Sequence, residues 1–297
     1  MSDPGTPTLD QLHVLLTVHD AGSFAAAARR LNRATSAVTY AIDNLEAQLG
    51  LPLFDRVTTR KPELTEAGRA VVAEACNVTR RVDMLRAKVK GLLDGLEAEV
   101  TLVVDVVLPT VRLVDALQAF QSEFPSVALR LHVEALGAVA QMVLDRRATI
   151  GISGRANVVV EGVERIAVGG VRLMPVAAPF HPLARQGRND PSATREHIQL
   201  VLTDRSPLTE GRDFGVLALN TWRLGDLGAK HALLLAGVGW GGMPEPVVRE
   251  DLAAGRLVAL DLPDWQAVTY DLEAIHRTDT PPGPAARWLI ERFAGQA

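Results

Sequence analysis

The 297-residue sequence predicts an α/β protein with an N-terminal all-α winged helix-turn-helix, a long linker helix and a two-lobed α/β domain. Three observations predict it. Two short amphipathic segments between Ser23 and Leu49 flank a polar turn; an apolar seam repeats in steps of three and four from Val71 to Leu92; and strand-like and helix-like runs alternate from Val100 onward. They set boundaries at 1–64, 65–96 and 97–297, the last region dividing into one lobe of 97–162 plus 268–297 and another of 163–267.

Ser23 is a good N-cap residue and opens a helix through Ala25–Ala28, side chains small enough to let a second helix cross closely. Leu31 closes it, and the turn falls at Asn32 and Arg33. The next helix places Val38, Ile42, Leu45 and Leu49 on one buried stripe. Its opposite face offers Thr35, Ser36, Thr39, Tyr40 and Asp43, short polar groups and one long amphipathic one, which suits a helix that enters a major groove and touches base edges. Paired amphipathic helices also occur in ordinary all-α cores, so the next segment matters. Leu53 to Arg56, Thr58 to Pro62 and Leu64-Thr65 read as a hairpin with Arg56, Arg60 and Lys61 near its tip, as expected of a wing lying along a phosphate backbone.

The formal charge of −4 hides an asymmetry. Residues 1–90 carry 12 Lys and Arg against 10 Asp and Glu, leaving 19 against 25 for the rest. Arg29, Arg30, Arg33, Arg56, Arg60 and Lys61 concentrate cations around the reading head, and phosphate affinity depends on local cations rather than the whole-chain sum. The single cysteine, Cys76, has no partner for an intramolecular disulfide and reads as a small packing residue. The start MSDPGTPTLD is neither basic nor apolar, and charged residues interrupt every apolar run, which predicts a cytoplasmic protein that does not enter a membrane.

From Thr65 to about Leu96 the chain reads as one helix with a seam at Val71, Ala75, Val78, Val82, Leu85, Val89 and Leu92. Such a seam needs a partner, and a second copy of the same helix is the expected one. Gly91, Gly95 and Glu97-Ala98-Glu99 end it. Strand Val100–Leu108, helix Pro109–Phe124, strand Val127–Leu136, helix Ala138–Ala148 and strand Thr149–Ser153 then imply a parallel βαβαβ unit. A second set follows: strands Val171–Ala178, Ile198–Leu202 and Thr221–Leu224, helices Leu227–Ala236 and Pro246–Ala254, and the run Leu257–Leu260. A strand at Tyr270–Ile275 and a helix at Pro284–Phe293 complete the pattern. Two α/β lobes joined by crossover strands enclose a cleft, the layout of periplasmic-type ligand-binding domains.

Catalytic and cofactor motifs are missing. Gly237 to Gly242 follows a helix rather than a strand and reads as a turn with close backbone packing, not a nucleotide loop. The seven histidines are scattered without H-E-x-x-H, and Ser153 sits in no G-x-S-x-G elbow, so neither a metal, a cofactor nor an enzyme is expected.

The run LDQLHVLLTVHDAGSFAAAARRLNRATSAVTYAIDNLEAQLGLPLFDR, followed by LTEAGR, resembles the winged helix-turn-helix of the LysR-type transcriptional regulators over residues 9–69. FQSEFPSVALRLHVEALG, HPLAR and HALLLAGVGWGGMPEPVVREDLAAGRLVAL extend the resemblance over nearly the full length. Ala34-Thr35-Ser36 departs from the family's usual Ser-Gln-Pro/Ser, and Tyr40 stands where Arg is frequent. Gly151 replaces a frequent acidic residue. The resemblance implies double-stranded DNA as a partner, a homodimer or homotetramer, a small-molecule effector between the lobes, and an effect on RNA polymerase recruitment. It also implies that Ser23, Arg33, Thr35, Ser36, Thr39, Tyr40, Asp43, Arg56, Arg60 and Lys61 form the DNA-binding set. The alternative is a small-molecule binding protein or enzyme with a vestigial helix-turn-helix.

Strand-end topology places the effector near Asp105, Thr110, Glu134, Thr203, Asp204 and Trp222. Thr110 begins a helix, where free N–H groups and the dipole favour a carboxylate. Asp105 either favours a cationic or hydroxyl-rich ligand or simply caps its own turn.

Overall fold

The computed structural model describes residues 5–55, 62–154, 160–185, 191–265 and 268–295, in two compact units that meet in sequence between Lys90 and Gly91. In the first, helix α1 (Leu9–Ala21) precedes α2 (Phe24–Leu31) and α3 (Thr35–Leu49). Helix α1, with its Thr8/Gln11 capping box, is an element of the head that the sequence periodicity does not yield. The Ser23 Oγ accepts from Ala26 N at 3.2 Å, and Asn32 ends α2 in the left-handed region at φ 53°. Val38, Ile42 and Leu45 are wholly buried against Val14, Leu15, Val18, Ala27 and Ala28.

Strands β1 (Phe54–Asp55) and β2 (Glu63–Leu64) pair antiparallel at the base of the wing. A carboxylate oxygen of Glu46 accepts from Leu53 N at 2.7 Å and Phe54 N at 3.1 Å, which fastens the wing to α3. Helix α4 (Glu66–Leu93) starts where Thr65 Oγ1 accepts from Gly68 N at 2.8 Å. Gly68 is required there because a Cβ would run into the Leu53 carbonyl.

The long seam divides. Ala75, together with Val72, is buried in the core of its own winged unit and Val71 packs against that core, whereas Val78, Leu85, Val89 and Leu92 are exposed in the single chain and Val82 is half-buried. Val71 and Ala75 are therefore satisfied at home, because the helix must first cover the head that precedes it. Cys76, expected to pack, is solvent-exposed instead.

In the second unit, β3 (Glu99–Asp105), α5 (Thr110–Glu123), β4 (Ala128–Glu134), α6 (Gly137–Leu144) and β5 (Ile150–Gly154) form the parallel arrangement β4-β3-β5. Strand β6 (Val163–Ala177) follows, then the short helices α7 (Pro182–Arg185) and α8 (Pro191–Glu196) and strands β7 (Gln199–Leu202) and β8 (Thr221–Leu224). Helix α9 (Leu227–Leu235), β9 (Trp240–Pro244), α10 (Glu245–Ala253), β10 (Val258–Ala259), β11 (Val268–Arg277) and α11 (Pro284–Ala294) complete it. The sheet order is β4-β3-β5-β11-β6-β9-β7-β8, with β10 beside β6.

Two differences from the sequence reading matter. Strand β6 begins at Val163 rather than Val171; it pairs with β11 as far as Leu173 and with β9 from Leu173 onward, so one strand passes between the lobes. Val168 and Val171 belong to the first lobe's core and Val176 to the second's, which puts the crossing inside β6 and not at residue 163. The stretch Gly237–Gly242, read as a turn, supplies most of β9. Its glycines are there for other elements: a Cβ at Gly241 would lie 2.6 Å from the Leu200 carbonyl oxygen on β7. Gly151 is equally constrained, because a Cβ would press at 3.0–3.1 Å on Ile275, Val139 and Val143, leaving no room for an acidic side chain.

Candidate functional site

The reading head is built by capping and packing. With Val38, Ile42 and Leu45 buried, α3 turns Thr35, Ser36, Tyr40 and Asp43 outward as exposed residues, and Tyr40 is 68 % exposed. Thr39 is half-buried and its hydroxyl donates to the Thr35 carbonyl at 3.0 Å, which leaves its lone pairs as acceptors. Ser23 serves as the α2 cap. Arg33 is engaged by a residue the sequence did not single out: its Nη1 and Nη2 donate to the two Asp10 carboxylate oxygens at 2.8 and 2.7 Å. That fork holds the Asp10 carboxyl below its usual range. Arg56, Arg60 and Lys61 lie outside the described residues.

In the second unit, Thr203, Asp204 and Glu134 are brought together. Thr203 and Asp204 border two adjoining cavities of about 530 and 770 Å³, and Glu134 borders the larger with Gln141, Arg147, Arg205 and Arg223. Of the arginines, which the sequence reading missed, Arg223 is paired with Asp213 at 2.5 Å. Thr110 and Trp222 border none of these cavities: Thr110 is exposed at the start of α5, and Trp222 is 45 % exposed on the edge strand β8.

Asp204 joins the lobes. One carboxylate oxygen accepts from Ala138 N, in the first turn of α6, at 2.8 Å, and the other accepts from the Thr209 hydroxyl. The chain's own anion thus occupies that helix N-terminus. Leu136, just before the helix, is held at φ 49° and ψ −126°, a strained conformation for a side chain other than glycine, and lines the 530 Å³ cavity. Asp204→Ala is expected to cost about 1–2 kcal/mol by removing an N-terminal acceptor and stranding Thr209. Urea unfolding followed by tryptophan fluorescence reads this directly, because all four tryptophans lie in 91–297. An unchanged midpoint would show that the bridge contributes nothing.

Asp105 is closed off. It is 1 % exposed, accepts from Val107 N at 3.0 Å and from the Tyr270 hydroxyl at 3.2 Å, and burial raises its carboxyl to about 6. It caps its own turn, as the second of its two sequence readings has it, and borders none of the described cavities. Among the described residues there is no cluster able to hold a metal ion and no helix long and apolar enough to cross a membrane.

Comparison with known proteins fits both units. Residues 9–69 match the model for the bacterial regulatory helix-turn-helix protein, lysR family, and residues 93–297 that for the LysR substrate binding domain. The chain is 27 % identical over 291 residues to the HTH-type transcriptional regulator AceR of Acinetobacter baumannii, covering 95 % of each. It is 29 % identical over 266 residues to the HTH-type transcriptional activator AllS of Klebsiella pneumoniae, covering 87 % of this chain and 95 % of that one. The structure of full-length LysG from Corynebacterium glutamicum, with bound effector Arg, shares the fold at a TM-score of 0.50 and 19 % identity, covering 97 % of this chain and 97 % of that one. The chain belongs to the LysR family of bacterial transcriptional regulators, with an N-terminal DNA-binding helix-turn-helix and a two-lobed effector-binding domain.

Proposed function

We propose that the protein is a cytoplasmic, homodimeric or homotetrameric regulator in which α3 reads base edges and a small molecule held between the lobes shifts the relative placement of paired reading heads. The observation that carries it is the division of α3 into a fully buried stripe and an outward polar face. Thr35, Ser36, Thr39, Tyr40 and Asp43 are placed to touch bases, while Ser23, Arg33 and the wing cations Arg56, Arg60 and Lys61 position the head on the phosphates. No catalytic step is assigned. The effector occupies the cavities bordered by Glu134, Thr203 and Asp204, where an occupant touching both lobes biases how far they close. The altered spacing of heads changes DNA bending and thereby polymerase recruitment.

Selection of bound genomic fragments, sequenced at two salt concentrations, tests this reading. A recurring interrupted palindrome is expected. Tyr40→Ala and Thr39→Ala should change the preferred sequence by about 1–3 kcal/mol per altered base contact without changing the salt slope. Arg56→Ala should weaken all sequences alike and lower the slope by about one. Indifference of DNA affinity and preference to all three substitutions would refute the reading-head assignment.

A further inference from the structure

Beside the cleft lies a smaller pocket of about 330 Å³, bordered by none of Asp105, Thr110, Glu134, Thr203, Asp204 or Trp222. Its walls are largely apolar, with Leu200, Phe214, Leu227, Trp265 and Tyr270 among them. Lys230, on α9, also lines it and is only 4 % exposed. The Lys230 Nζ donates to the Gly242 carbonyl at 2.7 Å, yet an ammonium carries three donors, and Lys230 forms no ion pair among the described residues. The Trp265 Nε1 is also buried and, among the described residues, has no hydrogen-bond partner. A buried charge without a counter-charge is costly, and an anionic acceptor in the pocket relieves that cost.

Local structure makes room for both side chains. A Cβ at Gly241 would lie 3.2 Å from Lys230 Cε, and one at Gly242 would lie 2.5 Å from the Trp265 ring. The paired glycines of β9 therefore admit the lysine and the indole where larger residues would fill the space.

We propose that this pocket binds a compact organic acid with an apolar body, its carboxylate meeting Lys230 Nζ and its body lying among Leu200, Phe214, Leu227 and the Trp265 ring. Desolvation holds Lys230 down to about 8, so the amine is still largely protonated near neutral pH. A neutral ligand leaves the ammonium uncompensated, since Asp264, an exposed carboxylate on the same wall, forms no ion pair with it. The volume, at the small end of the roughly 300–1,000 Å³ of ligand sites, excludes large polyanions. This deepens the effector reading and rests on it: the pocket shares Leu136, Val201, Leu202 and Phe214 with the 530 Å³ cavity, so an occupant bears on the same lobe junction.

The test is calorimetric titration of the full-length protein with phenylacetate, benzoate and 3-methylbutanoate, each beside its own amide. At least one acid should bind about tenfold or more tightly than its amide, a difference of roughly 1.4 kcal/mol. Lys230→Met should abolish that preference by weakening the acid alone. Gly242→Ala, which keeps the lysine but displaces the indole, should weaken acid and amide together. The pocket assignment falls if no acid exceeds its amide, if Lys230→Met binds the acid as wild type does, or if Gly242→Ala changes nothing. Operator affinity is measured with and without the best acid. Binding that leaves operator affinity unchanged supports the pocket and overturns only the effector reading.

Discussion

Aspartate at both Leu85 and Val89 should convert the protein to a monomer, halving or quartering the mass read by light scattering and lowering operator affinity by about 10²–10⁴. In the single chain Leu85 is 61 % and Val89 48 % exposed, and both lie one helical turn apart on the part of α4 that leaves the winged core behind. Burying each against a second helix contributes about 1.5–3 kcal/mol before entropy is subtracted, and a carboxylate there must be desolvated instead. Two heads on one dimer engage the operator with the second contact effectively intramolecular; separate monomers lose that advantage. The substituted sites touch no core, so tryptophan-monitored unfolding should stay within about 0.5 kcal/mol of wild type at a concentration where both are monomeric. A mass that does not change would refute the seam. Ala75→Asp makes the contrasting case: at 3 % exposure that position belongs to the head's own core, and its substitution should unfold the head rather than separate subunits.

What was legible in the sequence was what local patterning encodes. Ser23, the four alanines and the Val38–Leu45 stripe sit within one supersecondary unit, and its capping and burial follow from spacing alone. The period of α4 was equally plain, but a period does not say which neighbour covers it; residues 71–75 face the head that precedes them and residues 78–92 do not. Partners remote in sequence were beyond reach. Arg33 finds Asp10 across 23 residues, and Asp204 finds Ala138 across 66.

The same limit explains β9 and its surroundings. Glycine is depleted in strands, so Trp240-Gly241-Gly242 reads as a turn until the side chains that need those gaps, Lys230 and Trp265, are placed against it. Lysine is ordinarily a surface residue, and nothing in KHALLL marks this one as buried. Strand β6 reads short in the sequence for a related reason: Glu164, Arg165 and Arg172 carry charge through a strand whose ladder with β11 is fixed by the sheet rather than by its own composition.

Asp105→Asn should stabilise the effector unit at about pH 8 by an amount on the order of 3 kcal/mol, with the gain vanishing near pH 4. The folded carboxyl titrates near 6 against an ordinary 3.8, chiefly through burial. Between those values the folded state holds a proton that the unfolded chain has released, so wild-type stability declines as pH rises through the window. Above about 6 the ionised, desolvated Asp105 is a constant penalty; below about 4 the group is protonated in both states and contributes no difference. Asparagine cannot ionise, yet its carbonyl can still accept from Val107 N and its amide can donate to the Tyr270 oxygen, preserving the turn that ends β3. Burial and the neighbouring Asp105 also push the Tyr270 phenol up, so it stays a neutral partner throughout. Comparing urea midpoints of the two proteins at each pH cancels the other titrating groups. Parallel curves for variant and wild type would show that Asp105 does not carry the proton assigned to it.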